Sequence, residues 1–174
     1  SGVRLMRPTT KWFAVILAFL VWPSLIQAAV VTTDVLVLNL DEGSGATTYD
    51  ATANANNGTL ASGTQTPVWS AGKWASALEF DGANDYVRVP DNATLDLTSA
   101  ITMEAWIYPH SITPRQEIAT KEGTYYWNVQ SGRLAIYLAG TTTPGYHMTP
   151  STEPIPTNAW THVASTYDGS SVKL

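Results

Sequence analysis

Two runs of alternating apolar and polar residues, Ala77 to Phe80 and Tyr86 to Val89, flank a turn built from Asp81, Gly82, Asn84 and Asp85. Period-two alternation turns every second side chain to one face of a strand, while Asp, Asn and Gly supply the local bonds and left-handed conformers of turns. The stretch from Ser76 to Pro90 therefore predicts a β-hairpin. Val35 to Leu40 predicts an earlier strand, stopped by the turn cluster Asp41 to Gly45. Thr47 to Leu60, rich in Asp and Asn, predicts an ordered loop, and Val68 to Trp74 leads into the hairpin. Further strands are expected over Ile101 to Tyr108, Tyr125 to Val129, Leu134 to Leu138 and Trp160 to Tyr167. No helical period intervenes, so the expected fold is an all-β antiparallel sandwich.

Composition agrees with an exported module. The 174 residues support one domain, which buries about 70% of the surface its unfolded chain exposes. Cysteine is absent, which excludes both a disulfide framework and a catalytic thiol. The net charge of -5, with no cluster of Lys and Arg, argues against nucleic acid as a partner. Met6 to Ala28 reads as a signal peptide: Arg7 and Lys11 precede an apolar run from Trp12 to Trp22, Pro23 breaks it, and cleavage is expected after Ala28. That run is shorter than the roughly 20 residues a spanning helix needs, so no membrane span is expected after cleavage. Residues Ser1 to Leu5 precede the start methionine in this reading and are given no structural part.

The turn region, Asn92 to Leu97, Ile101-Thr-Met-Glu-Ala-Trp-Ile-Tyr-Pro109 and Trp160-Thr-His-Val-Ala-Ser-Thr-Tyr-Asp-Gly169 together resemble the LamG-like jellyroll domains of the concanavalin A-like lectin/glucanase superfamily. The resemblance implies a β-sandwich jellyroll over residues 35–174 that binds rather than catalyses. It also implies an incomplete C-terminus, because the family pattern continues beyond Leu174 with a Tyr-Val-Asn-Gly hairpin and a last strand beside the first. The implied setting is secreted or at the cell surface, with further domains in a larger surface or polysaccharide-degrading protein. This architecture hosts lectins, adhesion modules and enzyme appendages, so the ligand is either carbohydrate or an extracellular protein.

Three sets of residues are candidates for chemistry. In Tyr125-Tyr-Trp-Asn-Val129, alternation puts Tyr126 and Asn128 on the face opposite Trp127, and Tyr137 falls opposite Leu134, Ile136 and Leu138. Tyr126, Asn128 and Tyr137 are thus expected to form an exposed platform where a sugar ring stacks and an amide bonds its hydroxyls, with Tyr146 and His147 adding a loop contact. Trp74, Trp106, Trp127 and Trp160 are expected in the core. Asp50, Asn54 and Asn56 carry the oxygen chemistry of a calcium site. Asp50-Ala-Thr-Ala-Asn-Ala-Asn-Asn-Gly58 resembles the family loop Asp-Ser-Ser-Gly-Asn-Gly-Asn-Asn-Gly, with alanines where glycines are common. The same side chains also serve as turn caps, and both readings stay open at this point, as they do for Asp81 and Asp85. Catalysis is not expected. Superfamily glucanases carry Glu-x-Asp-x-x-Glu on one strand, and Glu79-Phe-Asp81 begins that pattern, but Asn84 stands where the second glutamate belongs. A divergent glycoside hydrolase with its acids on separate strands is the alternative. His110, His147 and His162 are too scattered for a zinc motif, and His162 is expected to be structural.

Overall fold

The structure, a computed structural model, describes residues 2–5, 12–15, 34–97, 99–113, 115–139 and 149–174. Its strands in chain order are β1 (Gly2–Leu5), β2 (Trp12–Val15), β3 (Thr47–Thr48), β4 (Gly58–Leu60), β5 (Val68–Ala71), β6 (Ser76–Phe80), β7 (Val87–Pro90) and β8 (Ile101–Pro109). They continue with β9 (Gln116–Lys121), β10 (Tyr125–Gln130), β11 (Arg133–Leu138), β12 (Thr149–Pro154), β13 (Thr161–Tyr167) and β14 (Val172–Lys173). Two sheets result, one of eight strands in the order β12-β11-β10-β9-β1-β7-β4-β3 and one of six in the order β14-β13-β8-β2-β6-β5. Their strand pairings are antiparallel. The expected all-β sandwich is what forms. Among the described residues no helix is long and apolar enough to cross a membrane.

Alternation builds the core. Val87 and Val89 of β7 are buried while Arg88 and Pro90 between and beyond them are exposed, and β13 buries Val163, Ser165 and Tyr167 in the same rhythm. Leu78, Phe80 and Ile107 from one sheet and Trp127, Val129 and Ile136 from the other belong to one cluster. Each such side chain contributes about 1.5 to 3 kcal/mol by leaving water. The Trp127 indole Nε1 donates to Ser165 Oγ at 2.6 Å, joining β10 in one sheet to β13 in the other through a bond that no water can replace.

Several expectations are corrected. Ser76 to Pro90 is an arch, not a hairpin: β6 lies in the six-stranded sheet and β7 in the eight-stranded one. The turn that joins them is nevertheless made by the expected residues. Asp81 N donates to Asp85 Oδ2 at 2.8 Å, Ala83 N and Asn84 N donate to Asp81 Oδ1 at 2.8 and 3.2 Å, and Gly82 has a φ of 78°. Burial pushes the Asp81 carboxyl up, but the backbone N–H groups of Ala83, Asn84 and Asp85 hold it below the usual range. Asp85 is raised, by burial first and by the Asp81 charge as well, against the bond from Asp81 N. Local turn chemistry serves a sheet-to-sheet crossing as well as a hairpin; what separates the two strands is that both bury apolar faces on opposite walls of one core.

Val35 to Leu40 is not a regular strand. Only Leu38 makes an isolated bridge, to Asp50. Val37 and Leu38 are buried in succession and Leu40 takes a φ of 54°, so the pleat is lost. Thr47 to Leu60 contains the short strands β3 and β4 as well as loop. Residues 6–11 and 16–28 of the expected leader lie outside the described residues, but Trp12–Val15 forms β2 between β6 and β8. Gly2–Leu5, expected to have no structural part, is the strand between β7 and β9, with Val3 and Leu5 buried. Strand β9 was hidden from a reading by hydrophobic alternation because its buried end positions are Gln116 and Lys121. Lys121 is accommodated by Asp91 and Asp96, at 2.5 and 2.9 Å. Burial pulls its ammonium down, and the two carboxylates more than offset that pull.

Candidate binding faces

The outer face of the eight-stranded sheet carries the tyrosine pair. Tyr126 and Tyr137 are directly opposite across β10 and β11, and their half-buried rings meet edge to face with centroids 5.3 Å apart. Arg115 lies 5.9 Å from the Tyr126 ring centroid and pairs with Glu117 at 2.7 Å, which also accepts from Thr120 Oγ1 at 3.0 Å. Asn128 shares this face but is not an exposed platform residue: it is 1% exposed, and neither polar atom of its amide has a hydrogen-bond partner. The pairing of β10 with β9 shifts register between Trp127 and Asn128, an irregularity of the kind that re-aims side chains. Tyr146 and His147 lie outside the described residues.

The tryptophans divide. Trp127 is core, as expected, whereas Trp74, Trp106 and Trp160 are not: Trp74 is 55% exposed, and the other two are half-buried on the outer face of the six-stranded sheet. Trp106 meets Trp74 edge to face at 5.1 Å and His162 at 5.3 Å, while Tyr108 meets Trp160 at 5.5 Å. Strand register explains the grouping, because Trp106 is opposite His162, and Trp106 and Tyr108 are two residues apart on β8. The signal was present in the sequence. Ala105 and Ile107 alternate with Trp106 and Tyr108, so a core containing the first pair excludes the second.

Asp50, Asn54 and Asn56 do come together, as a clasp on the chain around Val35. Asp50 Oδ1 accepts from Val37 N and Thr52 N at 3.0 and 2.9 Å, and Oδ2 accepts from Thr52 Oγ1 and Asn56 N, both at 2.8 Å. The amides of Asn54 and Asn56 donate to Val35 O at 3.1 and 3.0 Å. This is the turn-cap arrangement. The carboxylate oxygens on which the calcium expectation relies are taken up by N–H and O–H donors. Among the described residues no three or more His, Cys, Asp or Glu side chains gather as a metal site.

Asp81 caps its own turn, and Glu104 Oε2 lies 3.4 Å from His162 Nε2. Residues 81–174, more than half of the chain, match the Laminin_G_3 family of the Concanavalin A-like lectin/glucanases superfamily. The chain belongs to that family. No curated protein and no solved structure matches it. The Laminin_G_3 match begins at the arch and takes in β7 to β14, so Tyr126, Tyr137, Trp106, Tyr108, Trp160 and His162 all lie within it and Trp74 lies before it. Membership of a superfamily of lectins and glucanases accounts for the fold and accords with a binding module.

Proposed function

We propose that this chain is a secreted, non-catalytic module that recognises carbohydrate, carried within a larger surface or polysaccharide-degrading protein. The observation that carries the reading is the Tyr126–Tyr137 pair, two half-buried rings packed edge to face on the outer face of the eight-stranded sheet. Aromatic rings offer a sugar's C–H face an apolar partner. An open face buries less of its ligand than a closed pocket does, so affinity is modest.

The test is a glycan array with the full chain, followed by calorimetric titration of the glycans that bind. Tyr126→Ala and Tyr137→Ala should each weaken binding about tenfold, the scale of one lost stacking partner, at a cost of about 1 kcal/mol in unfolding from the lost cross-strand pair. A reducing-sugar assay should show no product. A blank array overturns the carbohydrate reading, and product release overturns the non-catalytic one.

A further inference from the structure

The face that carries the tyrosine pair also carries an excess of arginine. Alternation turns Arg88 of β7, Glu117 of β9 and Arg133 of β11 outward with Tyr126 and Tyr137, whereas Lys121 turns inward, and Arg115 stands just before β9. Arginine thus outnumbers glutamate along these strands, on a chain whose net charge is -5. Arg133 donates to the carbonyl oxygens of Ser151 and Thr152, which leaves its charge uncompensated. Arg88 has no acidic partner among the described residues, and in β1 Arg4, which has none either, stands directly opposite it. Like charges facing each other across a ladder cost stability, and an anion laid over them relieves that cost. Arg88, Arg115 and Arg133 all follow Ala28 in the chain, so the excess does not depend on β1.

Arg115 is the cation that reaches the rings. Its Nε pairs with Glu117 at 2.7 Å, Glu117 is held in turn by Thr120 Oγ1 at 3.0 Å, and the guanidinium carbon lies 5.9 Å from the Tyr126 ring centroid. Glu117 engages the Nε edge, so the two Nη groups at the far end have no partner among the described residues, and the side chain is 44% exposed. The Tyr126 hydroxyl accepts from Gly123 N at 3.4 Å and is already engaged. Beside the rings, then, a ligand meets a fork of N–H donors whose direction Glu117 has fixed in advance. At a distance Glu117 cancels the charge of Arg115, and the positive field of the face comes from Arg88 and Arg133; at contact the fork matches the two coplanar oxygens of a carboxylate. We infer that the ligand of this face is a uronate-containing polysaccharide, with Arg115 gripping the sugar carboxylate and Glu117 positioning Arg115. The inference rests on the reading of the tyrosine pair as the glycan site and adds the class of sugar.

The experiment titrates the full chain by calorimetry with hexamers of galacturonate, mannuronate and guluronate, and with the same hexamers after reduction of their carboxyl groups to alcohols, which removes the charge and keeps every linkage. Wild type should bind at least one uronate hexamer about tenfold or more tightly than its reduced counterpart. Arg115→Gln should bring that ratio to about one while leaving affinity for the reduced hexamer unchanged. Arg115→Lys, which keeps the charge but not the fork, should lose most of the preference. A urea transition of unchanged slope shows that each variant is folded, and the wild-type ratio is an arm that needs no variant. No binding of any uronate hexamer, a ratio near one in wild type, or a ratio retained in Arg115→Gln overturns the inference. If neutral glycans still bind and Tyr126→Ala weakens them, the proposed function stands without it. Uronate binding that survives in the double variant Tyr126→Ala, Tyr137→Ala removes both the tyrosine site and this inference. A reduced hexamer carrying sulfate on the new alcohols that binds as tightly as the uronate shows that charge alone is read, and overturns the carboxylate fork.

Discussion

At the scale of single residues, the structure separates side chains that hold the fold from side chains that present it. Trp127 and Trp160 look alike in the sequence. One donates a buried hydrogen bond across the sandwich to Ser165, and the other packs on Tyr108 at the surface. Ala55 shows a cost that can be measured. It takes a φ of 52° in the Asp50 loop, at a position where the family pattern has glycine, and a Cβ in the left-handed region costs about 1 kcal/mol. Ala55→Gly should therefore stabilise the chain by up to about 0.5 kcal/mol, after allowing for the added freedom of the unfolded state. Urea unfolding checks this: the midpoint should rise with an unchanged slope.

At the scale of elements, the Asp50 loop is the clearest case of one side chain organising a segment. The Asp50 carboxylate gathers three backbone N–H groups and one hydroxyl from residues 37 to 56, and Asn57 Oδ1 returns a bond from Asp50 N at 2.9 Å. Removing the carboxylate leaves those donors without partners. Asp50→Ala should cost about 2 kcal/mol or more, since bonds to a charged acceptor are the stronger kind. Melting curves in calcium and in chelator separate the two readings of the loop. With the oxygens occupied by protein donors, the two curves should coincide for wild type; a melting temperature that climbs with the logarithm of free calcium, and does so only while Asp50 is present, would restore the metal site. The arch at Asp81 to Tyr86 teaches a related point, because its bonds are local and readable while the sheet each flanking strand joins is not.

At the scale of the molecule, the most consequential finding is the placement of Gly2–Leu5 and Trp12–Val15. These short segments, consecutive strands in the chain, enter different sheets, each between strands that would otherwise have no neighbour on that side. Cleavage after Ala28, as the sequence leads one to expect, would remove both. Val3 and Leu5 leave the core, at about 1.5 to 3 kcal/mol each, and β7 and β9 are left with facing unpaired edges. A chain beginning at Ala29 should then unfold at a lower urea midpoint than the full chain and self-associate in sedimentation. Equal midpoints with a monomeric Ala29 chain would mean that β1 and β2 are dispensable to the sandwich.

What the sequence determined by itself was everything that short-range periodicity and turn chemistry can encode: an all-β fold, the strands around Trp106, Trp127, Ile136 and Val163, the cap residues of the arch, and the facing of Tyr126 and Tyr137. These depend on neighbours within a few residues, which the chain order specifies directly. The tertiary structure alone decided which wall of the sandwich each strand joined, that Gln116 and Lys121 belong to a strand, that Asn128 is buried, and that three tryptophans lie outside the core. Each of these depends on partners far away in the sequence, such as Asp91 and Asp96 for Lys121 or β13 for Trp106, and alternation marks two faces of a strand without saying which one meets the other sheet.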